Sequence, residues 1–184
     1  VIYAYGTRGR LEFTLFRPFN WIGPRLDSLF AAKEGSSRVV TQFIAELMMK
    51  RPISLVDGGS QKRCFTYVDD GVRAVLMIAE RPAEADPGFD PSDPLPDRSS
   101  APYRVYNIGN SRPEPLERFI SVLEGALGKK AMRNYLPMQP GDVYMTSSDT
   151  GALERDFGWR PSTGLEEGLG HFVDWYKERK PWLQ

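Results

Sequence analysis

Apolar residues recur along the chain at two spacings, and these set the element map. Val39, Val40, Phe43, Ile44, Leu47 and Met48 fall at i, i+3, i+4 intervals, so Val39 to Met49 is predicted as a helix with one buried stripe. The same spacing predicts a helix from Asp69 to about Glu80, with Val72, Val75, Leu76 and Ala79 facing inward. A last helix is striped by Leu165, Leu169, Phe172, Val173 and Tyr176. Pro115 to Leu127 forms a further helix ended by Gly128, and Ser148 or Asp149 caps a short one that reaches Asp156 and ends at Gly158. Val1 to about Arg8 reads as the tail of a helix ended by Gly6 and Gly9.

Shorter apolar runs predict strands. Glu12 to Arg17 is one, stopped at Pro18; Ile53 to Val56 is another, closed by Asp57-Gly58-Gly59. Tyr103 to Asn107 and Ala131 to Leu136 complete the set. Lys62 to Val68 alternates, with Arg63, Phe65 and Tyr67 on one face and Lys62, Cys64 and Thr66 on the other. Two stretches fit neither spacing. Trp21 to Ser37 carries glycine, proline and polar residues and reads as a long loop, of the kind that is usually functional. Arg81 to Pro102 is rich in proline and acid and poor in large apolar residues, so it buries too little to offset its ordering entropy and reads as a mobile surface excursion.

Strands alternate with helices, so the class is α/β, but the strands are too few for a complete doubly wound sheet. At 184 residues the chain is long enough for one domain with its own core. Its formal net charge of zero gives no pull toward nucleic acid or an anionic membrane surface. No apolar run reaches the roughly 20 residues of a membrane span. The opening Val-Ile-Tyr-Ala-Tyr-Gly has neither an initiator Met nor a signal-peptide core, and reads as internal to something longer. A single cysteine, Cys64, precludes an internal disulfide framework and fits a reducing compartment. The expectation is a cytoplasmic domain.

The chemistry is limited by what is missing. There is no G-x-G-x-x-G and no P-loop. One cysteine and one histidine cannot build a Cys/His metal site. His171 lies off the apolar stripe of the last helix and reads as a surface residue, and Cys64 reads as a packed strand thiol. What remains are polar residues at element ends, where ligand groups usually sit. Asn20 follows the first strand, Arg38 opens a helix after the long loop, Arg63 lies beside a Gly-Gly turn, and Asp142 sits in the turn Gln139-Pro140-Gly141-Asp142. Two guanidinium forks and a carboxylate suit a diphosphate and a ribose diol. Ion pairs inside the domain account for both arginines equally simply, and spacing alone does not choose.

Ordered motifs add to this reading. Arg17-Pro18-Phe19-Asn20-Trp21-Ile22-Gly23-Pro24 resembles the R-x-x-N-x-x-G-P element of extended short-chain dehydrogenase/reductases, and Arg63-Cys64-Phe65-Thr66-Tyr67-Val68-Asp69-Asp70 resembles their R-x-F-x-Y-V-D-D element. Tyr106-Asn107-Ile108-Gly109-Asn110 is similar to their Y-N-I-G-N strand end. Gln139-Pro140-Gly141-Asp142-Val143, Ser148-Asp149 and Gly158-Trp159-Arg160-Pro161 are similar to their C-terminal run. Residues 1 to about 70 look like UDP-glucuronate decarboxylases, and those from about Arg81 onward look like UDP-glucuronate 4-epimerases.

The resemblance implies the C-terminal, substrate-binding part of an NAD-dependent nucleotide-sugar epimerase: an incomplete parallel Rossmann-type sheet with a small α/β subdomain. It implies that Pro18 and Phe19 border the nicotinamide, Asn20 binds substrate, Arg38 lies on the sugar-diphosphate side, Arg63 grips the diphosphate and Asp142 holds the ribose. It places the glycine-rich fingerprint and the catalytic Tyr-x-x-x-Lys pair before residue 1. On that reading this chain holds a UDP-sugar, does not bind NAD tightly alone, has no turnover, and partners with the N-terminal half or pairs as a homodimer. Two departures favour epimerisation over decarboxylation: Gly151 stands where the decarboxylase's proposed acid arginine falls, and Ser54 where its substrate lysine falls. Gln139 stands where many epimerases carry an arginine. A rival of another class is a non-catalytic interaction domain that kept the fold.

Overall fold

The computed structural model describes residues 2–8, 11–26, 39–138 and 140–179. A short helix α1 (Ile2–Gly6) precedes strand β1 (Phe13–Pro18) and the two-residue strand β2 (Trp21–Ile22). Helix α2 (Val39–Met48) leads into β3 (Ile53–Val56), β4 (Lys62–Cys64) and β5 (Thr66–Tyr67). Helix α3 (Val68–Glu80) is followed by β6 (Tyr103–Ile108), β7 (Pro113–Pro115), helix α4 (Leu116–Leu127), β8 (Arg133–Leu136) and β9 (Met145–Thr146). Helices α5 (Gly151–Phe157) and α6 (Leu165–Arg179) close the sequence of elements.

Short parallel ladders dominate, in keeping with an α/β class. β1 pairs with β6 over its whole length, from Phe13 opposite Tyr103 to Pro18 opposite Ile108. Pro18 therefore ends the strand from within rather than stopping it one residue earlier. β2 pairs with β5, β3 with β8, and β4 lies between antiparallel β7 and parallel β9.

Two apolar clusters hold these layers. The larger joins α2, β3, α4 and α6 through Ile44, Leu55, Phe119, Ile120, Leu123 and Val173, each almost fully shielded. The smaller packs α3 and α5 on β6 through Ala74, Ile78, Ile108, Leu153 and Trp159. Helix ends follow backbone chemistry. Gly128 and Gly158 sit at φ 63° and 66°, the left-handed region that glycine enters without a Cβ penalty, and each closes its helix.

Two predictions are corrected. The inward stripe of α3 is Val68, Gly71, Ala74 and Ile78, while Val72 and Leu76 are exposed. The reason is close packing: a Cβ on Gly71 would lie 2.6 Å from the Trp21 ring, so a glycine faces inward at that turn; Val75, also expected inward, is partly buried against the smaller cluster, and Ala79 is exposed. Residues 62–68 are not one alternating strand. Cys64, Phe65 and Thr66 are all buried, because the chain steps at Phe65 from the β4 sheet to the β5 ladder.

The proline-rich stretch 81–102 has no helix or longer strand but is tied down at both ends. Ala83, Ser99 and Ala101 are buried, the Asp86 N–H donates to the Ser99 carbonyl at 2.9 Å, and Val105 N–H reaches the Asp97 carbonyl at 3.0 Å. Among the described residues no helix is long and apolar enough to cross a membrane.

Candidate functional site

A cavity of about 480 Å³ opens between α2, β3, β4 and the start of α4, within the ordinary range for a small-molecule site. Its lining brings together three residues expected from sequence, Asn20, Arg63 and Asp142, and adds Gln42, Glu46 and Gln61. Phe43, Phe65, Trp21 and Leu116 supply its apolar wall. Arg38 lies outside the described residues, as does Gln139.

Arg63 owes its position to the turn before it. Asp57, Gly58 and Gly59 have φ of 53°, 63° and 77°, three successive left-handed residues that reverse the chain out of β3. A Cβ at Gly59 would meet the Glu117 side chain at 2.9 Å, so glycine is required there sterically as well. β4 then runs through the middle of its three-stranded sheet. The Arg63 Nη1 donates to the carbonyls of Lys62 at 2.9 Å and Tyr144 at 3.2 Å, and Nη2 to Gln61 Oε1 at 3.4 Å. These acceptors fix the fork without neutralising it. Glu114 stands opposite Arg63 in the ladder, but its carboxylate is taken by Arg118 at 3.1 Å. Among the described residues no carboxylate pairs with Arg63. Asp142 is exposed on the same cavity, also without an ion pair among the described residues.

Asn20 sits at φ 42°, an unusual backbone for any residue but glycine and one that asparagine tolerates best. Its Nδ2 donates to the Cys64 carbonyl at 2.9 Å and lies 3.3 Å from Thr146 Oγ1. The amide thus ties the end of β1 to β4 and β9, and the residue lines the cavity. Cys64 beneath it is fully buried, and burial pushes its thiol pKa up, so it is a poor nucleophile. Phe19 is half-buried and its backbone is fully spent: its N–H reaches the Ile108 carbonyl at 3.0 Å and its carbonyl accepts from Thr66 Oγ1 at 3.1 Å. Pro18 and Phe19 therefore offer a ligand an apolar edge, not hydrogen bonds.

Glu46 is the residue that sequence patterning missed. It follows Gln42 by four residues on one face of α2, and Gln42 Nε2 donates to its Oε1 at 3.1 Å. Burial raises its carboxyl above the usual range, opposed by the Gln42 hydrogen bond and by Arg51. The polar i, i+4 pair was the available signal.

Several motif residues turn out to be structural. Asp70 is fully buried and accepts from Ser162 N and Oγ, Thr163 N and Arg73, while Trp159 Nε1 donates to its backbone carbonyl at 3.1 Å. The Y-V-D-D and G-W-x-P segments are therefore one staple between α3 and the turn before α6. His171 is exposed on α6 beside Tyr67 and 3.8 Å from Glu167. Tyr176 precedes Lys180 at Tyr-x-x-x-Lys spacing, but its ring is buried in the larger core and its hydroxyl pKa is raised by that burial.

With this geometry in hand, the likenesses to known proteins become informative. The family model for the NAD dependent epimerase/dehydratase family matches residues 1–109. Protein CapI of Staphylococcus aureus is 37% identical over 177 residues, covering 96% of this chain and 49% of that protein. UDP-glucose 4-epimerase of Thermotoga maritima, solved with UDP-glucose, superposes with a TM-score of 0.76 at 26% identity, over 97% of this chain and 50% of its own. A UDP-glucuronic acid 4-epimerase from Bacillus cereus, solved with UDP-glucuronic acid and NAD, shares the fold with a TM-score of 0.74 at 23% identity, over 96% and 49%. The chain spans about half the length of the relatives it matches.

Proposed function

Because the chain belongs to the NAD dependent epimerase/dehydratase family, we propose that it is the sugar-nucleotide-binding part of a UDP-sugar 4-epimerase, with UDP-glucuronate as the substrate. What carries the reading is the set of polar residues on one cavity: Arg63, with no carboxylate partner among the described residues, Asp142 and Asn20. A guanidinium fork held on a strand binds diphosphate oxygens, and a carboxylate accepts hydroxyl protons from a ribose. Asn20, at the end of β1, faces the sugar. Arg38 joins the diphosphate side in this reading.

NAD supplies hydride acceptance in this family's chemistry. Pro18 and Phe19 fit an apolar border for its nicotinamide, but no described residue offers a cradle for its phosphates. In this reading the chain's own residues bind and orient substrate. Decarboxylation is disfavoured by Ser54 and Gly151. Ser54 lines the cavity as a neutral hydroxyl, and Gly151 lies on a separate cavity with Arg17 and Asp149.

Calorimetric titration with UDP tests the reading. Arg63→Ala should lose about 1.5–3 kcal/mol, or roughly 10- to 150-fold in affinity, for UDP and UDP-sugars alike, because the diphosphate is common to them. Arg63→Lys should recover part of it, keeping charge without the fork. An alanine variant that folds normally by circular dichroism and binds UDP as the wild type does would make Arg63 a structural residue.

A further inference from the structure

We propose that a basic pocket at the ends of α2 and α4 docks the acidic segment around Leu95 of a second copy of this chain. The pocket shares no residue with the cavity around Arg63. It encloses about 260 Å³ and is lined by Leu47, Lys50, Arg51, Lys129, Lys130 and Met132. That is below the usual size of a small-molecule site and suits one inserted side chain. Leu47 is buried and Met132 half exposed, so an apolar lining lies among four cations. Lys50 and Arg51 follow the C-terminus of α2, and Lys129 and Lys130 follow Gly128 at the C-terminus of α4. Cations at helix C-termini are ordinary. Four on one small pocket are not, because like charges repel and each neighbour adds to the cost. Lys130 pairs with Glu124 at 3.2 Å, but among the described residues Lys50, Arg51 and Lys129 pair with no carboxylate.

The complementary surface is on the same chain. From Ala83 to Asp97 the proline-rich excursion carries five carboxylates and no cation. Asp86 and Asp97 are taken by Arg98 and Arg155, whereas Glu84, Asp90 and Asp93 form no ion pair among the described residues. The two surfaces thus offer three uncommitted charges each, of opposite sign. The apolar counterpart is Leu95, 54% exposed within Asp93-Pro94-Leu95-Pro96-Asp97. Each proline fixes its own φ and holds the residue before it extended, so little entropy remains to be lost on docking. The excursion does not fill the pocket of its own chain. It is tied beside β6 by the Asp86–Ser99 and Asp97–Val105 hydrogen bonds, and none of its residues lines the pocket. In its own chain Leu95 borders a different cavity, with Arg17 and Asn107. The occupant is therefore the excursion of another copy.

Two variants test the contact by complementation. Lys50→Glu/Lys129→Glu reverses the pocket and keeps the excursion, and Asp93→Ser/Leu95→Ser breaks the excursion and keeps the pocket. None of the four positions is buried, so both variants should fold, which circular dichroism checks. Sedimentation equilibrium is run in roughly 20 mM and 500 mM salt, between which the screening length falls from about 20 Å to about 4 Å. Apolar contacts elsewhere on the chain persist in the higher salt and do not mimic the response. Wild type should associate roughly 10-fold more weakly at the higher salt, and each variant alone should lose about as much at the lower. An equimolar mixture of the two variants should recover salt-sensitive association, since the excursion of one meets the pocket of the other. Wild-type association that ignores salt, a variant that associates as wild type does, or a mixture no tighter than its parts overturns the proposal. So does a wild type that stays monomeric in low salt, and its co-sedimentation with phosphatidylserine vesicles would then give the pocket to an anionic lipid surface.

Discussion

Around α2, β3, α4 and α6 the apolar surface closes on itself: Ile44, Leu55, Phe119, Ile120 and Leu123 are fully shielded, and Phe119 packs on Phe65 with ring centroids 4.5 Å apart. Around β1 the same chain leaves Leu11, Leu15 and Phe16 more than 40% exposed, and among the described residues the strand has one neighbour, β6. The contrast separates two jobs. The first region carries its own core and lends rigidity to the cavity that holds Arg63 and Glu46. The second is a sheet margin, with a free edge and bare apolar side chains that are worth covering.

The sharpest way to break this comparison is a pair of truncations. Phe119→Ala removes a fully buried ring and should cost about 3–5 kcal/mol of unfolding free energy. Leu15→Ala, on the exposed strand, should change it by less than about 1 kcal/mol. Urea denaturation of both variants decides it; comparable losses would mean that β1 is as integral to the core as α4.

An ionic group inside the first region sharpens the same point. Glu124, on α4, accepts from Arg133 at 2.9 Å, from the Ala131 N–H at 2.8 Å and from Lys130 at 3.2 Å. These contacts, the Arg133 hydrogen bond foremost and against the opposing effect of burial, hold its carboxyl at about 2, below its ordinary 4.5. A lowered folded-state value means that the stabilisation is complete above the ordinary value and is lost as pH falls from about 4.5 toward 2. At neutral pH it amounts to something on the order of 3 kcal/mol. Glu124→Gln should therefore be destabilised at pH 7, and its gap from wild type should close between pH 4.5 and 2. A gap that stays constant across that range would assign the loss to packing rather than charge.

What the sequence made legible follows from which forces are local. Gly128 and Gly158 were readable as helix ends because a left-handed residue is a local requirement. Leu169, Phe172, Val173 and Tyr176 were readable because α6 meets its core along one wide stripe. The face of α3 was not, since periodicity weights large residues and this helix approaches Trp21 through Gly71 and Ala74. Arg63, Asn20 and Asp142 were findable as polar residues at element ends, and the cavity does gather them. Glu46 was hidden because a single carboxylate on an amphipathic helix looks like a solvated one. That one of its oxygens is shielded is a matter of tertiary packing, which no local pattern contains.

The smallest effect probes the other side of the comparison. If β1 is a margin awaiting cover, the chain should self-associate weakly through it, since Leu15 and Phe16 lie next to a ladder edge that no described residue pairs. Covering one such side chain contributes on the order of 1 kcal/mol, which is about fivefold in an association constant. Leu15→Lys should weaken association by roughly that factor, because a lysine on an edge strand is costly to desolvate and repels its own copy. Leu76→Lys, at an exposed position of α3, is the control and should leave association unchanged. Sedimentation equilibrium over a wide concentration range reads both. Weakening by Leu76→Lys and not by Leu15→Lys would move the sticky surface to α3, and the β1 edge would then be covered by the fold itself rather than left for another chain.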